Sequence, residues 1–93
     1  LPLIQQFEKM RDASYVKLIG QIEDMRVTRT KKGEQMAFVT ITDETGQLSL
    51  TFFPRQFAES KSILIQDAII HVEGTLEKRF GKIQLKVKFA SSI

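Results

Sequence analysis

Two basic runs and three phenylalanines are the parts of this sequence with chemistry to offer. Arg26, Arg29, Lys31 and Lys32 fall within seven residues that hold no acid, and Lys78, Arg79, Lys82, Lys86 and Lys88 within eleven that hold none. These nine positive charges exceed the formal net charge of +3, so the remainder of the chain carries −6. Cations gathered into two segments of an otherwise acidic body suit a polyanionic partner. Phe38 and Phe53 fall, by strand alternation, on a face otherwise made of threonine and serine, and Phe80 lies between Arg79 and Gly81. An aromatic ring in such company can stack on an unpaired base, at about 1–3 kcal/mol per base, while neighbouring cations contact phosphates.

Other chemistries are poorly served. Asp43 and Glu44 could hold a metal or move a proton, but in Asp43-Glu44-Thr45-Gly46 the aspartate can hydrogen-bond local backbone and Gly46 can supply an awkward dihedral, so a turn is expected. His71 is the single histidine, with no cysteine to complete a zinc site, and is expected to be structural. The sequence holds no phosphate-binding G-x-x-x-x-G-K-[ST] loop and no metal-ligand spacing. No catalysis, cofactor or metal is expected.

The elements that position these residues follow from length and periodicity. Ninety-three residues, 42% apolar and 27% charged, suit one small domain with one core. The absence of cysteine fits a reducing cytoplasm, and no apolar run reaches bilayer length, so no membrane partner is expected. The chain does not begin with methionine and reads as a piece of something longer. Leu3, Ile4, Phe7 and Met10 predict an N-terminal helix within a lead-in over residues 1–14, ahead of a domain over 15–93.

Five strands are predicted, at Tyr15–Thr30, Gln35–Thr42, Gln47–Phe53, Ala68–Lys78 and Lys82–Phe89. Gly20 is expected to let the first strand bend, and Gly33 to close its turn. Pro54 should end the third strand, and Phe57 and Leu64 belong to a short helix plugging the barrel. In the last strand Ile83, Leu85, Val87 and Phe89 are expected to face inward. Three strands, a helix and two strands is the layout of an all-β, five-stranded OB-fold Greek-key barrel, whose outer face over strands two and three and loops one-two and four-five bind oligonucleotides. The predicted nucleic-acid contacts are therefore Arg26, Arg29, Lys31, Lys32, Phe38, Phe53, Lys78, Arg79, Phe80 and Lys82.

The segment Gly20–Pro54 resembles the OB domain of the bacterial DNA polymerase III alpha subunit. The likeness rests on Thr30-Lys31-Lys32-Gly33, Met36-Ala37-Phe38-Val39, Asp43 with Gly46, and Phe53-Pro54. It implies a non-catalytic domain of a replicative DNA-directed DNA polymerase, a nucleotidyltransferase, that handles single-stranded template DNA. The implied partners are the parent's other domains and replisome proteins, in a bacterial cytoplasm, with the isolated domain a monomer. The anticodon-binding OB domain of class II aminoacyl-tRNA synthetases shares the strand-one glycine, basic loop and D-x-x-G turn, so tRNA stays open as an alternative. A protein-interaction barrel is the second alternative.

Overall fold

Val16, Leu18, Gly20 and Ile22 point into the protein from one side of a fifteen-residue strand, β1 (Tyr15–Arg29). That strand serves two neighbours. Its first half, Tyr15 to Gln21, pairs with β4 (Ile69–Arg79), and its second half, Gln21 to Arg29, pairs with β2 (Gln35–Asp43). β3 (Gly46–Phe52) follows β2, and β5 (Lys82–Ser92) runs parallel to β3 and antiparallel to β4. The order β1-β2-β3-β5-β4 therefore closes on itself. The computed structural model describes residues 1–93 and so shows the expected five-stranded OB barrel.

Closure depends on a bend in β1. The register with β2 shifts between Ile22 and Asp24, leaving Glu23 as the extra residue of a bulge. The bend thus lies three residues beyond Gly20, where the sequence placed it. Gly20 serves packing instead, because a Cβ there would lie 2.8 Å from Ile41 Cδ1. The chain entering β4 straddles the bulge: the Ile22 N–H donates to the Ala68 carbonyl, and Asp67 N–H donates to that of Ile22. Gln66 Nε2 donates to the Glu23 carbonyl at 2.7 Å, so the backbone groups freed by the bulge find partners.

Inside lie Leu18, Ile22, Val39, Ile41, Leu50, Phe52, Ile70, Val72, Leu76 and Leu85, all essentially without solvent contact. The helix α1 (Pro54–Ser60) begins with proline at its first turn, where a missing N–H costs nothing, and buries Phe57. Leu64 closes the same end from the irregular segment that follows. Phe53 is not in β3. It is the residue before Pro54, held extended, and its carbonyl accepts the Phe57 N–H at 2.8 Å.

The lead-in is shorter than a helix over 1–14. It is a 3-10 helix at Ile4–Lys9, with Ile4 and Phe7 buried. Asp43 holds it in place. One carboxylate oxygen accepts the Ile4 N–H at 2.8 Å, and the other accepts from Thr45 N–H (2.7 Å), Thr45 Oγ1 (2.6 Å) and Gly46 N–H (3.2 Å). The β2–β3 turn is made by this side chain, and Gly46 needs no positive φ. Burial alone would push the Asp43 carboxyl up, but the bonds from Thr45, Ile4 and Gly46 outweigh it and hold the group below the usual carboxylate range.

One further departure lies at the end of the barrel. The β4–β5 register shifts between Glu73 and Gly74, leaving Lys88 unpaired, so Phe89 faces outward beside Glu73 and is 57% exposed. Strict alternation had put Phe89 in the core. Gly74 permits the crossing, since a Cβ there would fall 2.0 Å from the Lys86 carbonyl oxygen. No helix is long and apolar enough to cross a membrane.

Two outcomes test these contacts. Gly74→Ala must push β4 from β5 and is expected to cost about 3 kcal/mol or more in denaturant unfolding. Asp43 has a folded-state pKa below its unfolded value, so its contribution is full above about pH 4 and is lost as pH falls through the folded value. Asp43→Ala is expected to cost about 2 kcal/mol at neutral pH and to flatten stability against pH in that acid window.

Candidate nucleic-acid interface

Strand registry aligns outward side chains in rows across the barrel. One row runs Arg26, Phe38, Thr51, Lys86, Thr75, from β1 through β2, β3 and β5 to β4. The next runs Asp24, Thr40, Ser49, Gln84, Glu77. Together they make a floor of one aromatic ring, hydroxyls and a carboxamide, with the cations Arg26 and Lys86 in one row and the carboxylates Asp24 and Glu77 in the other.

The Arg26 guanidinium lies over the Phe38 ring, 5.3 Å from its centroid. Phe38 is half-buried, with one side on the sheet and the arginine on the other. The unit offered to a ligand is therefore a cation on a ring, and the outer guanidinium plane can stack with a base. Thr51, though on the outer side, is only 5% exposed, and its hydroxyl donates to Gln84 Oε1 at 3.2 Å. Phe53, 43% exposed, continues the outward side of β3 at the head of α1.

The two basic segments stand at diagonal corners of this floor. β2 starts from the Thr30–Glu34 loop, whereas β5 runs antiparallel to β2 and starts from the Phe80–Gly81 turn. Lys31 and Lys32 sit on the first loop, which Gly33 closes with φ +83 and the Thr30 hydroxyl stiffens by accepting from the Lys32 and Glu34 N–H groups. Arg79, Phe80, Gly81 and Lys82 form the second turn. Phe80 is 99% exposed and takes φ +52, a left-handed conformation that bulky residues resist. The loops flank the floor from either side.

Two predicted residues point elsewhere. Arg29 lies on the other side of β1 from Arg26, donates to the Gly33 carbonyl at 2.6 Å and borders a cleft with Pro54 and Phe57 of α1. Lys78 pairs with Ile83, and its Nζ donates to the Glu8 carbonyl at 2.7 Å while its N–H donates to Asp12. Both tie loops or termini down. Arg26 and Arg29 are also strand residues, so the basic loop itself is shorter than the charge run.

Registry adds Glu77, Gln84 and Thr51 to the candidate face and sets Lys86, already part of the second basic run, beside them. Glu77 Oε2 accepts from Lys86 Nζ at 3.0 Å, with Arg79 Nε at 3.8 Å, and Oε1 accepts from Gln84 Nε2. Hydrogen bonds from Lys86 first, and then Gln84, hold its carboxyl below the usual range. The two-residue turn Phe80–Gly81 fixes Glu77 opposite Gln84, so hairpin counting from that turn would have found the pair. Asp43 and Glu44 lie away from the cations, and their cleft, lined also by Leu1, Leu3, Ile19 and Ile69, carries no lysine or arginine. No cluster of three metal-ligating side chains exists.

Curated relatives are bacterial DNA polymerase III alpha subunits. That of Pseudomonas aeruginosa is 34% identical over 92 residues, covering 97% of this chain and 8% of the relative. That of Halalkalibacterium halodurans is 39% identical over 74 residues, 78% of this chain and 7% of the relative. The chain thus spans less than a tenth of the curated relatives' length. Among solved structures, a mitochondrial single-stranded DNA binding protein from S. cerevisiae superposes with TM-score 0.72 at 15% identity, covering 89% of this chain and 96% of that one. Asparaginyl-tRNA synthetase of Entamoeba histolytica gives 0.73 at 17% identity, over 92% of this chain and 22% of that one. At such identities the likeness concerns the fold alone. Residues 16–93 match the family described as OB-fold nucleic acid binding domain. By that match and by its closed barrel, the chain belongs to the OB-fold nucleic acid binding domain family.

Proposed function

We propose that this chain binds unpaired DNA across the outer face of β2, β3 and β5 and, as an accessory domain of a replicative DNA polymerase, helps to position the template strand. The observation that carries the reading is the Arg26–Phe38 stack, set between Lys31 and Lys32 at one corner and Arg79, Phe80 and Lys82 at the other. A flexible strand can lay bases on the Arg26–Phe38 pair, Phe53 and Phe80 while its phosphates meet the loop cations. Duplex DNA does not suit it, because a stacked base offers no face to a side chain. Nucleotidyl transfer belongs to other parts of the parent, in the bacterial cytoplasm. Contact with those parts falls on the outer side of β4 and its neighbours, where Ile19, Ile69, Phe89 and Ile93 are exposed.

Three or four neutralised phosphates set the salt dependence, so log K is expected to fall with log salt at a slope of about −2 to −3. Fluorescence anisotropy with a labelled oligonucleotide reads it, and a slope near zero defeats the mechanism. Charge reversal by Lys31→Glu with Lys32→Glu is expected to abolish measurable binding, and Phe38→Ala to weaken it by about 1–3 kcal/mol at unchanged slope. A tRNA bound in preference to unpaired DNA would move the reading to structured RNA.

A further inference from the structure

An ionised carboxylate in the middle of a phosphate-binding surface works against that surface unless something other than phosphate meets it. Glu77 is such a group. Its side chain is 16% exposed, and it borders a cleft of about 490 Å³ between β3, β4 and β5, next to Arg79, Phe80 and Lys82. We infer that this cleft is a nucleobase subsite, in which the Glu77 carboxylate and Gln84 select bases that carry an exocyclic amino group over thymine. The inference rests on the strand-binding reading above and adds to it a preference at one position.

The wall of the cleft is built of fixed acceptors. Gln84 Nε2 donates to Glu77 Oε1 and its Oε1 accepts from Thr51 Oγ1, so both ends of the carboxamide are committed and its carbonyl keeps one lone pair free. The Glu77 carboxylate offers about four lone-pair sites; Gln84 and Lys86 occupy one each, and Arg79 at 3.8 Å is beyond hydrogen-bond reach. Ser49 completes the polar lining and Ile83 the apolar one. Bonds at both ends keep this acceptor wall in place without a ligand.

Donor-bearing edges complement such a wall. Adenine, cytosine and guanine each present an amino group, and guanine adds a ring N–H beside it, whereas thymine presents carbonyls with a single ring N–H. A phosphate is repelled by the same oxygens and is left to the outward Lys82 and Arg79. Phe80 stands at the rim with its ring wholly exposed on a strained backbone, placed to stack on a base entering the cleft. Phe38 and Gln84 lie two strands and one row apart, roughly 12 Å by ordinary strand and residue spacing, so a base in the cleft and a base on the Arg26–Phe38 stack belong to one strand.

The test measures anisotropy for an all-thymidine oligomer and for the same oligomer with one central adenosine, cytidine, guanosine or inosine, with wild type and Glu77→Gln. It follows the Gln84 side-chain amide by NMR in parallel. Wild type is expected to bind the amino-bearing oligomers about 5- to 10-fold tighter than all-thymidine, and guanosine tighter than inosine, which lacks the amino group. Glu77→Gln, having lost a repelling charge, is expected to bind the all-thymidine oligomer more tightly than wild type does, and to lose the discrimination. Equal wild-type affinity for all five oligomers, or a variant that tightens every one alike, overturns the subsite. If the Arg26–Phe38 signals shift and Gln84 stays still, the subsite fails and strand binding stands. If no signal shifts with any oligomer, both fail. The guanosine–inosine comparison uses unaltered protein, so it holds whatever the variant does to folding.

Discussion

Every feature of this protein depends on one strand pairing with two neighbours that face different ways. β1 can serve both β4 and β2 only by turning sharply, and the extra residue Glu23 provides the turn while Ala68, Asp67 and Gln66 satisfy the backbone around it. A barrel closed in this way exposes no free edge along its central strands, so an outer face can carry polar and aromatic groups without inviting another sheet. The same closure sets β5 beside β3, and that pairing brings Gln84 and Lys86 into line with Ser49 and Thr51. Surface chemistry here is a product of registry.

Charge on that surface is organised rather than merely concentrated. Glu77 holds Lys86 and Gln84 by hydrogen bonds, so part of the basic run is already paired within the protein. Arg29 and Lys78 are likewise committed to carbonyls. The loop cations left outward are fewer than the sequence suggests and lie at the two corners, and between them Arg26 and Lys86 are balanced by Asp24 and Glu77 on a nearly neutral floor. Such a division lets electrostatics set approach and the floor set how the bases lie.

Much of this was legible in the residues. Alternation in β2 and β3 correctly separated the core set, Ala37, Val39, Ile41, Leu48, Leu50, from outward Phe38, because a half-buried strand writes its two faces directly into its sequence. Alternation failed at Phe89 because the bulge at Lys88 inserts a residue that no local signal announces. In β1 the alternation does slip between Ile22 and Met25, at the bulge, but Gly20 reads as its bend because glycine marks both bends and close approaches, and only the position of Ile41 distinguishes them. The basic runs were visible as composition, but composition could not say that Arg29 turns toward α1 or that Lys78 turns toward Glu8. Those directions depend on pairing between segments distant along the chain. The lead-in showed apolar spacing suited to a helix, yet Asp43 captures its first turn and the segment tightens to six residues.

The tip of the last hairpin holds a tension between folding and surface. At φ +52 and +75, Phe80 and Gly81 together make the kind of tight reversal for which asparagine followed by glycine is the comfortable pair. An aromatic side chain in the first of those places gains nothing from the interior, since water surrounds it on every side. The hairpin would be easier to form without that ring. Here the polypeptide accepts a less settled reversal in exchange for a flat apolar plate held away from the body of the barrel.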